Sequence, residues 1–233
     1  LYIYGGTGLG KTHLMYAIAN KIREKFPKMT ILYMTSEAFS TEILNTFRKG
    51  DKTQMQDRIE NAKERFKSVD LFMLDDIQFL KTREKTLEMF FNIFNDLHLH
   101  QKQIVLTSDE SPQEIDMEER MRSRFASGFQ AEVNPPALEE KVAILMQKSE
   151  EFGFTIDSTL AFYLAENVST KNVRELIGAL KRVHLYASVQ HTEMSIDIAE
   201  KALTDSGQLR RANIVLSPQQ VITSVADSYS VKL

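Results

Sequence analysis

The 233-residue chain contains no cysteine. That absence removes disulfides, thiolate zinc sites and cysteine nucleophiles together, and it suits a reducing compartment. An excess of charge is missing as well. With 29 basic residues against 32 acidic ones the formal net charge is −3, so no global field draws the chain to nucleic acid or anionic lipid, and any such contact must be a local patch. No apolar run approaches the roughly 18 residues of a membrane span. The first residues also lack the basic and apolar regions of a secretion signal, and the reading is a cytoplasmic protein. There is neither an internal repeat nor a low-complexity tract. What is present, 42% hydrophobic and 26% charged residues, suits a globular chain with a sizeable core, either one large domain or a core with a smaller lobe.

Short β-like runs alternate with helix-period segments through the first half, the pattern of a parallel sheet covered by helices. Strands are expected at Leu1–Tyr4, Thr30–Thr35, Val69–Leu74, Gln103–Ser108 and Phe129–Val133. Leu14, Ile18 and Ile22 share one face of a helix from about Lys11 to Lys25. Ser36 reads as an N-cap opening two helical patterns that run to Ser68, more than one crossover needs, and a further helix spans Thr86–Leu99. After the rigid Asn134-Pro135-Pro136 the strand signal stops. Helical patterns take over at Leu138–Phe152, Ser158–Asn167, Asn172–Ala187 and Ser195–Leu203. The expected division is an α/β domain over 1–134, a helical lobe over 135–204, and, over 205–233, a polar linker at Asp205–Ala212 with one more helix begun at Ser217.

Gly5-Gly6-Thr7-Gly8-Leu9-Gly10-Lys11-Thr12 has the spacing of a P-loop and lies between a strand and a helix, where a phosphate cradle is needed. Backbone N–H groups turn inward around a phosphate there and the helix start adds its positive end. Lys11 would reach the β- and γ-phosphates, and the Thr12 hydroxyl would face Mg²⁺. Leu71-Phe72-Met73-Leu74 ends in Asp75-Asp76, an apolar strand delivering a carboxylate. Asp75 is the metal-side candidate and Asp76 the group that orients or deprotonates an attacking water; the lesser alternative is that two Asp residues after a strand only cap the next helix. Thr107-Ser108-Asp109 ends the next strand and could position that water, or merely lead into a loop. Arg120 and Arg124 align at i, i+4 while Arg122 points elsewhere. An Arg here could reach a neighbour's γ-phosphate or lie on a solvated face beside Glu118 and Glu119. Arg174, at a helix start, could reach a phosphate or stay in solvent. The five histidines (His13, His98, His100, His184 and His191) show no metal spacing.

Ile3 to Leu14, Asp75-Asp76-Ile77-Gln78-Phe79-Leu80, Arg120 to Phe125, and Asn172-Val173-Arg174-Glu175-Leu176 with Gly178-Ala179-Leu180 together resemble the AAA+ ATPases and, among them, the bacterial replication-initiator family. The resemblance covers nearly the whole chain. It implies an α/β P-loop NTPase fold with a helical lid, and ATP or ADP with Mg²⁺ as cofactors. Gly6, Gly8, Leu9, Gly10, Lys11, Thr12 and His13 would bind the nucleotide, with Thr12 and Asp75 at the metal. Arg124 matches the family's arginine finger, Arg174 its sensor 2, and Asp109 falls in its sensor 1 segment. The helices between Ser36 and Ser68 resemble the insertion that bends the family's oligomer into a filament. Leu44, Arg83 and Lys85 match the segments that grip single-stranded DNA.

The function so implied is an ATP-dependent initiator of chromosomal replication. Its subunits assemble on origin DNA, open the duplex through single-stranded contacts, and are switched off by slow hydrolysis. Its partners would be origin DNA, further copies of itself and the replicative helicase machinery. Duplex reading would fall to a C-terminal domain of which residues 205–233 are the start, and the adenine contacts to residues upstream of Leu1. Glu110 departs from the pattern, standing where a basic residue is expected. Few aromatic residues lie beside Lys81, Arg83 and Lys85, so backbone contacts with little base stacking are expected. A related helicase loader or replication regulator shares the core, but the linker and the helix begun at Ser217 favour the initiator. A P-loop small-molecule kinase would need an acceptor pocket and lid arginines, which the long helical lobe fits poorly.

Overall fold

Leu71 and Met73 pack into one buried cluster and Phe72 and Leu74 into another, so the run is a strand covered on both faces. The computed structural model describes residues 1–47, 52–168, 170 and 172–204, with the backbone alone for 52–56. Among the described residues five strands form a wholly parallel sheet: β1 (Tyr2–Tyr4), β2 (Ile31–Thr35), β3 (Leu71–Asp75), β4 (Gln103–Ser108) and β5 (Gln130–Glu132). Their spatial order is β2-β3-β4-β1-β5. Each expected strand is found: β4 has the expected bounds, β1 and β2 start one residue later, β3 starts two residues later and ends one later, and β5 is shorter by one residue at each end.

One face of the sheet packs against α1 (Lys11–Lys25) through Met15 and Ala19, beside Ile3, Leu71, Met73 and Val105. The other face carries the larger cluster. It draws on α2 (Ser36–Thr46), α3 (Lys52–Lys67), α4 (Glu84–Leu99) and α5 (Glu119–Ser127), as well as the 3-10 turn Ile77–Leu80. Phe39, Phe66, Phe72, Phe90, Phe94 and Phe125 form a continuous set of ring contacts there. Phe90 is fully buried and touches Phe39, Phe94 and Phe125. Its truncation to Ala removes a ring that three elements share, so Phe90→Ala should lower stability by about 3–5 kcal/mol in urea unfolding.

Ser36 does not cap α2. The cap is Thr35, whose hydroxyl accepts from the Ala38 N–H at 3.2 Å. Ser36 is buried and its hydroxyl instead donates to the Asp75 carbonyl at 2.9 Å, a tertiary bond between neighbouring strand ends that a local pattern does not reveal. The 3-10 turn and α5 are short elements that hydropathy periodicity does not delimit.

The chain clusters into two compact units. The first comprises Leu1–Ala137 with Lys171–Glu175, and the second is built from Leu138–Thr170 and the chain from Leu176 on. In the second unit α6 (Leu138–Glu151), α7 (Ser158–Asn167), α8 (Val173–Gln190) and α9 (Ile196–Thr204) bury Leu145, Leu164, Leu180, Val183 and Leu203. Asp157 caps α7 by accepting from the Leu160 N–H at 2.7 Å. The expected linker at Asp205–Ala212 and helix from Ser217 lie outside the described residues.

Candidate functional site

Because every strand pair is parallel, Gly5, Asp76 and Asp109 all lie at the same edge of the sheet, just past the strand ends. Gly10 opens α1 with φ of 99°, in the left-handed region, and its carbonyl accepts the Leu14 N–H at 2.9 Å. Gly8 has φ of 76°, and a Cβ there would lie 2.0 Å from Asn172 Oδ1, so any side chain would collide.

Lys11 is only 6% exposed. Its ammonium donates to Gly5 O at 2.8 Å, Gly6 O at 3.1 Å and Asp109 Oδ1 at 2.5 Å, which uses all three of its protons. Thr7 Oγ1 donates to the other Asp109 oxygen at 3.1 Å. Asp109, placed by sequence at a strand end, is thus brought directly to the P-loop lysine.

Asp75 is 2% exposed. Its Oδ2 accepts from Thr12 Oγ1 at 2.8 Å and from the Tyr33 hydroxyl at 3.0 Å, and its Oδ1 accepts from Thr107 Oγ1. Among the described residues no Lys or Arg forms an ion pair with it. A buried carboxylate with hydroxyl donors and no cation is an electrostatic opening for one. One carboxylate and one hydroxyl, all oxygen, fit Mg²⁺, which takes few protein ligands when phosphates and water supply the rest. Among the described residues no group of three His, Cys, Asp or Glu is placed to hold a metal by itself. Tyr33, which also lies near Tyr16 at 4.9 Å between ring centroids, has its phenol pushed well above the usual range by burial, by Tyr16 and by the Asp75 charge.

Asp76 adopts the left-handed conformation, φ 59° and ψ 53°, and makes no side-chain cap to the 3-10 turn. The capping alternative is thereby removed. Its N–H donates to Thr107 Oγ1 at 2.8 Å, and Gln78 Nε2 donates to its Oδ1 at 3.3 Å. The Gln78 Oε1 accepts in turn from the Asp109 N–H at 3.4 Å. Burial, followed by the charge of Asp75, raises the Asp76 carboxyl above its ordinary value, which improves it as a proton acceptor.

The remaining candidates lie elsewhere. Arg124 and Arg120 both lie over the Phe91 ring, at 5.7 and 4.6 Å, whereas Arg122 donates to Gln113 O. This is the i, i+4 partition expected of the cluster. Arg124 lines a cavity of about 330 Å³ with Leu1, Gln103 and Ile104, at the opposite strand ends from the P-loop. Arg174 is exposed and its N–H donates to Asn172 Oδ1 at 2.8 Å. Leu9 lies on the loop and His13 on the first turn of α1.

Arg83 and Lys85 are exposed at the start of α4, and Leu44 is exposed on α2, with both helices packing on the 3-10 turn. Lys81 is held at 3.2 Å by Glu110. Phe79, on the turn that Lys81 follows, is 57% exposed. Sequence reading does not find Tyr33, Thr107 and Gln78 as partners of the two Asp residues. Only their hydroxyl and amide chemistry on neighbouring elements hints at it.

A Gly-rich loop whose lysine and threonine meet strand-end carboxylates, on a parallel sheet with β1 between β4 and β5, defines a P-loop NTPase of the AAA+ class. A family model described as the bacterial DnaA ATPase domain matches residues 1–132. The chromosomal replication initiator protein DnaA of Thermus thermophilus is 41% identical over 233 residues, covering 100% of this chain and 51% of that protein. Domain III of the Thermotoga maritima replication initiation protein DnaA superposes with a TM-score of 0.77 at 33% identity, covering 88% of this chain and 83% of that one. A replication initiator DnaA bound to AMPPCP and single-stranded DNA gives a TM-score of 0.72 at 32% identity, over 100% of this chain and 65% of that one. The chain belongs to the bacterial DnaA ATPase-domain family. It spans about half the length of the curated relatives it matches. Among the described residues no helix is long and apolar enough to cross a membrane.

Proposed function

We propose that this chain is the nucleotide-controlled core of a chromosomal replication initiator, in which ATP and not ADP joins neighbouring subunits. Gly6, Gly8, Leu9, Gly10, Lys11, Thr12 and His13 hold the nucleotide, and Thr12 and Asp75 hold Mg²⁺ beside its phosphates. The metal, when bound, neutralises phosphate charge. Asp76 takes a proton from the attacking water, with Asp109 close by to orient it. Arg174, at the start of α8, reports the γ-phosphate of its own subunit, and Arg124 engages that of a neighbour. Hydrolysis is slow and serves to release the assembly. In this cytoplasmic role origin DNA is the partner, gripped as a single strand by Leu44, Arg83 and Lys85, and the replicative helicase machinery is recruited to the opened strands.

The observation that carries this reading is the position of Arg124. The six residues of β4 span roughly 16 Å at about 3.3 Å each, and the P-loop and Arg124 lie toward opposite ends of the sheet. An arginine so placed suits a second subunit's nucleotide and not its own.

ATP with Mg²⁺ should raise light scattering of the full-length protein, and ADP should not. Fluorescence anisotropy with a labelled single-stranded oligonucleotide should show binding only in the ATP state. Lys85→Ala should weaken that binding and reduce its salt slope by about 0.7 for each phosphate it no longer neutralises, leaving ATP binding unchanged. Equal scattering with either nucleotide, or DNA binding indifferent to ATP, would overturn the proposal.

A further inference from the structure

Thr107 is completely buried in β4, with its hydroxyl between the Asp75 carboxylate and the Asp76 backbone N–H at the end of β3. In such a place a hydroxyl is unfavourable unless both its proton and a lone pair are used, and valine would fill the same volume without that demand. Here both are used, and on successive residues. The Thr107 O–H donates to Asp75 Oδ1, and its oxygen accepts the Asp76 N–H at 2.8 Å. The first bond leaves Asp75 Oδ2 facing Thr12, 2.8 Å away. The second holds the Asp76 backbone in a left-handed conformation that L side chains adopt rarely. Had the strand continued extended, Asp76 would have pointed to the opposite face of the sheet from Asp75.

We propose that Thr107 is a positioning residue that divides the labour of the Asp75-Asp76 pair, fixing Asp75 toward the metal side with its proton and turning Asp76 toward the water side with its lone pair. Its partners differ in kind from those of the other hydroxyls on Asp75. Thr12 lies on the helix after the loop and Tyr33 on β2, and each bonds to Asp75 alone of the pair. Thr107 alone among the described hydroxyls bonds to both residues. The inference rests on the proposed roles of Asp75 and Asp76.

The test compares Thr107→Val and Thr107→Ser in the full-length protein, with Asp76→Asn alongside. The Mg²⁺ concentration for half-maximal binding of a fluorescent ATP analogue reads the Asp75 arm without any turnover. Single-turnover hydrolysis at saturating Mg²⁺ and ATP reads the Asp76 arm. Groups that orient metal ligands are worth about 10–100-fold in metal affinity or activity, so Thr107→Val should shift both readouts by that much. ATP affinity at saturating Mg²⁺ should stay within about threefold, the signature of an effect outside ground-state binding. Thr107→Ser retains the hydroxyl and should behave as wild type.

Normal Mg²⁺ dependence and normal hydrolysis in Thr107→Val would overturn the proposal. So would equal impairment of the Val and Ser variants, which would assign the effect to the methyl group. Normal hydrolysis by Asp76→Asn sinks the reading of Asp76 itself, whereas a slow Asp76→Asn beside a normal Thr107→Val sinks the positioning role alone. If Thr107→Val does not fold, Thr107→Ala, which introduces no extra carbon, is read at reduced temperature with the same two expectations.

Discussion

Lys11→Ala is expected to abolish nucleotide binding, with affinity falling about a hundredfold or more. Removing one partner of a buried, hydrogen-bonded charge pair costs about 2–5 kcal/mol, and a phosphate adds more charge than the Asp109 carboxylate that Lys11 now meets. The truncation also strands Asp109 and two loop carbonyls, which gives the loop reason to distort. Lys11→Met separates the two effects, since it keeps the stem and removes only the charge. Both variants should fail in a fluorescent-nucleotide titration with Mg²⁺ while unfolding at temperatures near that of the wild type. Wild-type affinity in either one would contradict the assignment of the P-loop.

Arg124→Ala should leave ATP binding by the single subunit intact and remove both ATP-dependent assembly and most hydrolysis. Arginines that reach a neighbour's γ-phosphate contribute on the order of 10³–10⁵ in rate, against which the cation–π interaction of the exposed Arg124 with Phe91, about 0.5–1 kcal/mol, is small. The decisive form of the experiment is a mixture. Lys11→Ala subunits still carry Arg124, and Arg124→Ala subunits still carry an intact P-loop, so mixing two inactive proteins should restore a measurable fraction of hydrolysis. No recovery on mixing, with each variant folded, would mean that Arg124 acts within its own chain or not at all.

The features legible in the sequence are those encoded locally. The P-loop spacing, the apolar run into Asp75, and the i, i+4 relation of Arg120 and Arg124 each depend on neighbours within one turn or strand. Four of the strands are legible from their apolar runs, and β5, Gln130-Ala131-Glu132, from the alternation between Phe129 and Val133. The illegible part lies across strands. Thr107 and Tyr33 converge on Asp75 only because β2, β3 and β4 are adjacent, which no local pattern states. The same applies to Ser36, whose hydroxyl has the sequence context of a cap and serves a neighbouring carbonyl. Glu110 pairs with Lys81 across 29 residues of chain, a contact that no local pattern states either. Phe79 belongs to a motif that says nothing of its exposure, which is decided by where the 3-10 turn sits.

The interior place of β1, between β4 and β5, has a consequence for how the protein reaches its native state. β1 pairs with β4 and β5, which lie more than 100 residues away along the chain. Closing so large a loop comes with little reward until both neighbours are present, so pairings of this kind form slowly and late. The phosphate cradle hangs from the end of β1, and Asp109, which meets Lys11, hangs from the end of β4. The cradle is therefore complete only when the sheet is. A ligand that binds the finished cradle and not the unfolded chain acts on the whole sheet at once. At a hundred times its dissociation constant it adds about 2.7 kcal/mol to the stability of every element that must be in place for β1 to have two neighbours.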